Sequence, residues 1–294
     1  MKLNPSASLA RIEEEKRLQE WVGWLDCLPI KDLMNQGVIP KCRITSKTKP
    51  SLVKKLLHFF GVASPEEWQK YYADKEVLFR RTRAEQSDVG AISTWLRLGE
   101  IAAEQIDCPK YSKPKFEKAV RQIRTLTVLT LDEFEAKLQR LCWDAGVVLV
   151  LVPSIPRAHV SGMARWLNPH KAIIQLSLYG KTNDRFWFTF FHEAAHILLH
   201  DKQNIFLDQC DHKENLESQQ EYEANRWARE FLIPPEYEEE LAELKSKSDV
   251  TNFAERTSIH PAIVVGRLQH DGKIPIDWMN SLKESFSFKG LEKA

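Results

Sequence analysis

The chemistry in this chain concentrates in five consecutive positions. His192, Glu193 and His196 form the pattern His-Glu-Ala-Ala-His. On a helix, residues four apart share a face, so two imidazoles can chelate one ion. Neutral nitrogen donors joined by one carboxylate suit zinc, and a hydrolytic zinc site keeps its remaining position for water. Glu193, beside the first histidine, stands where it can take a proton from such a water as the water attacks a polarised carbonyl. A five-residue pattern with two free positions also arises by chance, and the histidines could simply satisfy a core. Here it lies inside RFWFTFFHEAAHILLH. Burying two histidines and a glutamate in so apolar a run is costly without a partner such as a metal.

A third ligand must come from elsewhere, and His200, Asp208, Asp211, His212, Glu221 and Glu223 lie downstream. His200 is eight residues beyond His192, about 12 Å along a helix axis, whereas a zinc–nitrogen bond is about 2 Å. It reads as a helix cap or as a brace behind a ligand. In EYEANRWAREFLIPP the apolar positions Ala224, Trp227, Ala228, Phe231 and Leu232 mark the buried face, and Glu223 adjoins it. Glu221 falls about 160° further round and reads as solvated. Spacing alone therefore favours Glu223 and leaves the other acids open. Tyr179, Arg185, His212 and Tyr222 could stabilise an oxyanion, but packing or surface roles account for each more simply.

The elements that must position these residues follow from periodicity. SLARIEEEKRLQEWVGWLDCL carries one apolar helical stripe ended by Pro29, and SLVKKLLHFFGVASPEEWQKYY reads as a helix closed by Gly61 and restarted at the Ser64 cap. Further helices are expected over residues 88–104 and 113–124. LDEFEAKLQRLCWDAG is an amphipathic helix stopped at Gly146. Three strand candidates follow, VVLVLVP, HVSGMARWL and KAIIQLSL, the last after a turn at Asn168-Pro169. The helix bearing His192 and a second, ended by Pro234-Pro235, come next. Two short helices are expected around Ser258-Ile259-His260-Pro261, and the final segment reads as a polar tail.

Composition excludes several classes. With 42 basic and 41 acidic residues the net charge is +1, so no global field draws in nucleic acid. No apolar stretch reaches the ~18 residues of a membrane span, and the amino-terminal residues lack a signal-like apolar run, which places the protein in the cytoplasm. Cys27, Cys42, Cys108, Cys142 and Cys210 are odd in number and far apart, against a disulfide framework or a cysteine zinc site. Arg165-Trp166 and Lys54-Lys55 are candidate contact patches, although such charge is usually just solvated.

FTFFHEAAHILLH followed by EANRWAREFLIPP resembles the ImmA/IrrE family of zinc metallopeptidases, and the resemblance runs over residues 125–275. It implies His192 and His196 as ligands, Glu193 as catalytic glutamate and Glu223 as third ligand, with one zinc ion per chain. It implies a zincin-like domain that cleaves a helix-turn-helix transcriptional repressor. WLRLGEIAAEQI and LLHFFGVASPEEW resemble the linker of fused forms that carry an Xre-like helix-turn-helix regulator. Before Arg11 there is no room for that DNA-binding bundle, which counts against DNA binding.

The expected architecture is α+β, with a helical amino-terminal domain over 1–125, a zincin-like metallopeptidase domain over 126–240 and a carboxy-terminal helical segment and tail over 241–294. The leading function is a zinc-dependent endopeptidase acting on a protein partner. The rival is a regulatory module that binds DNA or an antitoxin-like partner and uses the metal as sensor or clamp. A closed structural zinc site is disfavoured because it needs no adjacent base and fills its positions with four protein ligands.

Overall fold

The computed structural model describes residues 5–73, 88–177, 182–200, 206–209 and 219–286. Among them run α1 (Pro5–Glu20), α2 (Ile30–Asn35), α3 (Lys49–Phe60), α4 (Pro65–Trp68), α5 (Val89–Glu104), α6 (Lys113–Thr125), α7 (Leu131–Asp144), β1 (Val147–Leu151), β2 (Val160–Asn168), β3 (Lys171–Leu176), α8 (Asn183–Leu199), β4 (Phe206–Gln209), α9 (Gln219–Leu232), α10 (Glu238–Glu243), α11 (Lys247–Thr257) and α12 (Pro261–His270). The fold is α+β, as expected. The chain divides into two compact units, Met1–Leu98 with Ile155–His159, and Gly99–Ser154 with Val160–Lys293. Residues on both sides of the 126–240 stretch, including α6 and α10 to α12, thus share a unit with it.

The first unit is helical. Its core is aromatic: Trp24 meets Phe60 and Trp68 edge-on at centroid distances of 6.0 and 5.7 Å. Ser64 opens α4 by accepting a hydrogen bond from the Glu67 amide, as its sequence position implies.

In the second unit, Thr130 and Glu133 form a capping box that starts α7. Gly146 then turns the chain into β1 at φ 81°, so close to Tyr111 that a Cβ there would lie 2.4 Å from its backbone. The sheet order is β1-β3-β2-β4, with β1 parallel to β3 and the other pairs antiparallel. The β2–β3 hairpin turns where Asn168 accepts a hydrogen bond from the His170 amide at 2.9 Å. β3 is internal: β1 and β2 flank it. β1 and β4 are the outer strands of the described sheet, and β4 was not anticipated at all.

α8 packs on one face of this sheet and is buried on nearly every side, with Trp187, Phe190, Phe191 and Ala194 fully enclosed. The last turns of α5 lie on the other face. Gly99 leaves room for Gln175 there, and Glu100 makes a 2.6 Å ion pair with Arg165. Arg165 is therefore an interior residue of β2 and not a contact patch. Lys171 donates to the Ala103 and Ile106 carbonyls at the end of α5, at 2.8 and 2.5 Å.

The segment after α12 is no loose tail as far as Phe286. Asn183 exchanges backbone and side-chain hydrogen bonds with Glu284, Thr182 bridges to Ser285, and Lys283 pairs with the buried Asp184 at 2.6 Å. Phe286 is buried against Phe134 and Phe186. This late segment is fastened to the first turn of α8.

Candidate metal centre

α8 delivers His192, Glu193 and His196 into the interior, each no more than 1% exposed. The four-residue spacing does what a helix dictates. The Nε2 atoms of His192 and His196 converge to 3.0 Å. Opposite them stands a carboxylate from α9, and it belongs to Glu221. Its Oε2 lies 3.2 Å from His192 Nε2 and its Oε1 3.5 Å from His196 Nε2. His192, His196 and Glu221 form a group whose donor atoms all lie within 4.8 Å of one another.

Glu223, favoured from the sequence as third ligand, does not meet these histidines. Its Oε2 lies 3.3 Å from His200 Nε2, and its Oε1 accepts from Gln219 Nε2 at 2.7 Å. The reason is helical phase. Ala224, Ala228 and Leu232 are the residues of α9 that reach the core. At 100° per residue Glu221 lies within about 60° of all three, whereas Glu223 is about 100° to 180° away. Trp227 and Phe231 stack on each other, 4.6 Å between centroids, beside that stripe and not on it. Counting them as its centre tilted the inferred face toward Glu223. The spacing 221, 224, 228, 232 was the signal that could have found Glu221.

The remaining candidates are placed as follows. His200 ends α8, its amide bonded to the His196 carbonyl and its Nδ1 2.9 Å from His196 Nδ1. Tyr222 is half exposed beside Glu221, and Arg185 is exposed in the first turn of α8. Tyr179, Asp211 and His212 lie outside the described residues, as does the side chain of Asp208.

Glu193 points toward β2. A Cβ on Gly162 would stand 2.7 Å from Glu193 Oε1 and 2.5 Å from Thr189 Cγ2. Gly162 is paired on both sides, with Leu176 of β3 and Asp208 of β4. The glycine lets the strand backbone approach the glutamate, a positioning role that no sequence pattern announced.

The electrostatics favour a metal site. Burial pushes the His196 imidazole down to about 4, against the opposing hydrogen bond with Glu221, so at neutral pH it offers a lone pair. For Glu221 burial pushes upward, but hydrogen bonds and Coulomb attraction from His192 and His196 outweigh it and hold the carboxyl well below the usual range. Two neutral nitrogens and a carboxylate are the donors that zinc accepts. Tetrahedral ligands at zinc bond lengths sit about 3.4 Å apart, close to the 3.0, 3.2 and 3.5 Å edges here.

Residues 150–269 match the IrrE N-terminal-like domain, Peptidase_M78. No curated protein matches the chain. No described helix is long and apolar enough to cross a membrane. The matched stretch contains β2, β3, α8 and α9, and with them both histidines, both glutamates of the α8–α9 face and the glycine beneath Glu193. Residues 150–269 are therefore similar to an IrrE N-terminal-like domain, which supports an ImmA/IrrE-like, metallopeptidase-like reading of this stretch.

Proposed function

We propose that this chain is a zinc-dependent endopeptidase that holds one zinc ion with His192, His196 and Glu221 and uses Glu193 as general base. The observation that carries this reading is the convergence of two buried Nε2 atoms, 3.0 Å apart, on a single carboxylate. A zinc ion held there supplies a Lewis acid for a peptide carbonyl and lowers the pKa of water.

The chain's own residues do the rest. Glu221, fixed as a carboxylate, brings negative charge to the donor set, while the His196 imidazole stays neutral. Glu193, fully buried and pressed against the Gly162 backbone, has one narrow range of positions from which to accept the proton of the attacking water and return it to the leaving amine. The substrate is a protein, and family resemblance makes it a helix-turn-helix repressor in the cytoplasm. Near-neutral overall charge supports a protein partner over nucleic acid.

The test is elemental analysis of the purified chain beside His196→Ala and Glu221→Ala, followed by incubation of the zinc-loaded protein with candidate repressors. The expected result is about one zinc per chain, lost in both variants. Glu193→Gln should keep zinc and lose cleavage. A folded chain that takes up no zinc sinks the proposal.

A further inference from the structure

Behind the two histidines lies an ordered set of polar side chains that ligation itself does not require. His196 Nδ1 is 2.9 Å from His200 Nδ1, His200 Nε2 is 3.3 Å from Glu223 Oε2, and Glu223 Oε1 accepts from Gln219 at 2.7 Å. The His200 side chain is only 3% exposed, whereas that of Glu223 is 36% exposed, so the set runs from the interior to the surface.

We infer that His200 and Glu223 form a positioning relay that fixes the tautomer and ring orientation of His196 for metal binding. The inference rests on the metal site proposed above, and proton counting carries it. A neutral imidazole bears one N–H. If His196 Nε2 gives its lone pair to a metal, its proton sits on Nδ1 and must be donated to His200 Nδ1. His200 then accepts on Nδ1, so its own proton sits on Nε2, where Glu223 Oε2 accepts it. Each of these contacts then joins a donor to an acceptor, and the set ends on a carboxylate that accepts from Gln219.

Glu223 thus acts two hydrogen bonds away from the metal. Carboxylates and carbonyls commonly orient metal-binding histidines directly, and losing such a partner weakens metal affinity about 10–100-fold. Here a second histidine stands between, which makes the prediction specific: removing Glu223 must matter only while His200 is present to transmit it.

The experiment is zinc affinity of the 294-residue chain, measured by chelator competition for wild type, Glu223→Ala, Glu223→Gln, His200→Phe and the double variant His200→Phe/Glu223→Ala, with Glu221→Ala alongside. Glu223→Ala should weaken zinc binding about 10–100-fold. Glu223→Gln keeps an oxygen acceptor and should lose less. His200→Phe should lose at least as much as Glu223→Ala, and adding Glu223→Ala to it should change nothing more. Cobalt in place of zinc should show a shifted visible spectrum in Glu223→Ala. Should His200→Phe fail to fold, the surface substitutions at Glu223 and the cobalt spectrum still decide. Unchanged affinity in Glu223→Ala, with wild type binding zinc, overturns the relay and leaves the metal site standing. Equal effects of Glu223→Ala with and without His200 overturn it too, as does complete loss of zinc in Glu223→Ala with retention in Glu221→Ala. Absence of zinc binding in folded wild type instead overturns the metal site and the relay together.

Discussion

Replacing Gly162 by alanine adds one methyl group at the tightest point between sheet and helix. The new Cβ would stand 2.5 Å from Thr189 Cγ2, 2.7 Å from Glu193 Oε1 and 3.0 Å from Glu193 Cγ. Carbon atoms in contact prefer about 3.5–4.0 Å, so the closest pair must part by about 1 Å. β2 cannot supply that movement, because β3 and β4 hold Gly162 on both sides. Thr189 and Glu193 must move on α8, or α8 must lift from the sheet. Overpacking of this kind costs about 1–3 kcal/mol. At roughly 2–4 °C per kcal/mol for a unit of this size, melting should fall by several degrees in a scanning experiment. Cleavage should fall further, about 100-fold in kcat, because a displacement near 1 Å is enough to misalign a general base. Gly162→Ala/Thr189→Ser removes the closest clash and should recover part of the melting temperature, while the contact with Glu193 remains and activity stays low. A Gly162→Ala protein that melts with wild type and cleaves at the wild-type rate would refute the close approach of β2 to Glu193.

Two further outcomes are expected. Arg124 donates to the carbonyls of Phe231, Leu232 and Thr257 at 3.0, 2.8 and 3.0 Å, tying the ends of α9 and α11 together; Arg124→Ala should cost about 2–4 kcal/mol in denaturant unfolding, and Arg124→Lys should recover little because one ammonium cannot span three carbonyls. Burial, with a smaller contribution from the Glu117 charge, pushes the Tyr111 phenol up to about 12. Since the folded value is raised, its stabilising contribution is complete below the ordinary value near 10 and is lost as pH rises through about 12; ultraviolet titration of wild type against Tyr111→Phe should show one tyrosine ionising late.

The sequence exposed this fold unevenly, for physical reasons. Helices with strong stop and start chemistry, such as α7 between its capping box and Gly146, were legible because local residues alone decide them. α8 was legible for another reason: so apolar a run needs burial on all sides, and its three polar residues then need one another. β4 was not, since four residues flanked by charged sequence carry no period. Choosing between Glu221 and Glu223 needed the phase of α9 to within about half a turn, and aromatic residues flanking a narrow alanine stripe blurred it. Long-range partners were wholly hidden. Nothing in VSGMARWLN says that its glycine lies against Glu193, and nothing in the charged residues near the end says that Lys283 neutralises Asp184.

That last pairing has a consequence for the order of events during synthesis. Asn183, at the head of the helix that bears His192 and Glu193, takes the amide of Glu284 from 101 residues downstream. Until those residues have been made, the first turn of α8 lacks both the backbone bridge from Ser285 to Thr182 and the Lys283 ammonium that pairs with Asp184. A buried carboxylate without its counter-charge is strongly unfavourable. The helix that bears the candidate metal-site residues is thus left incomplete until a clasp 101 residues further along the chain has been made.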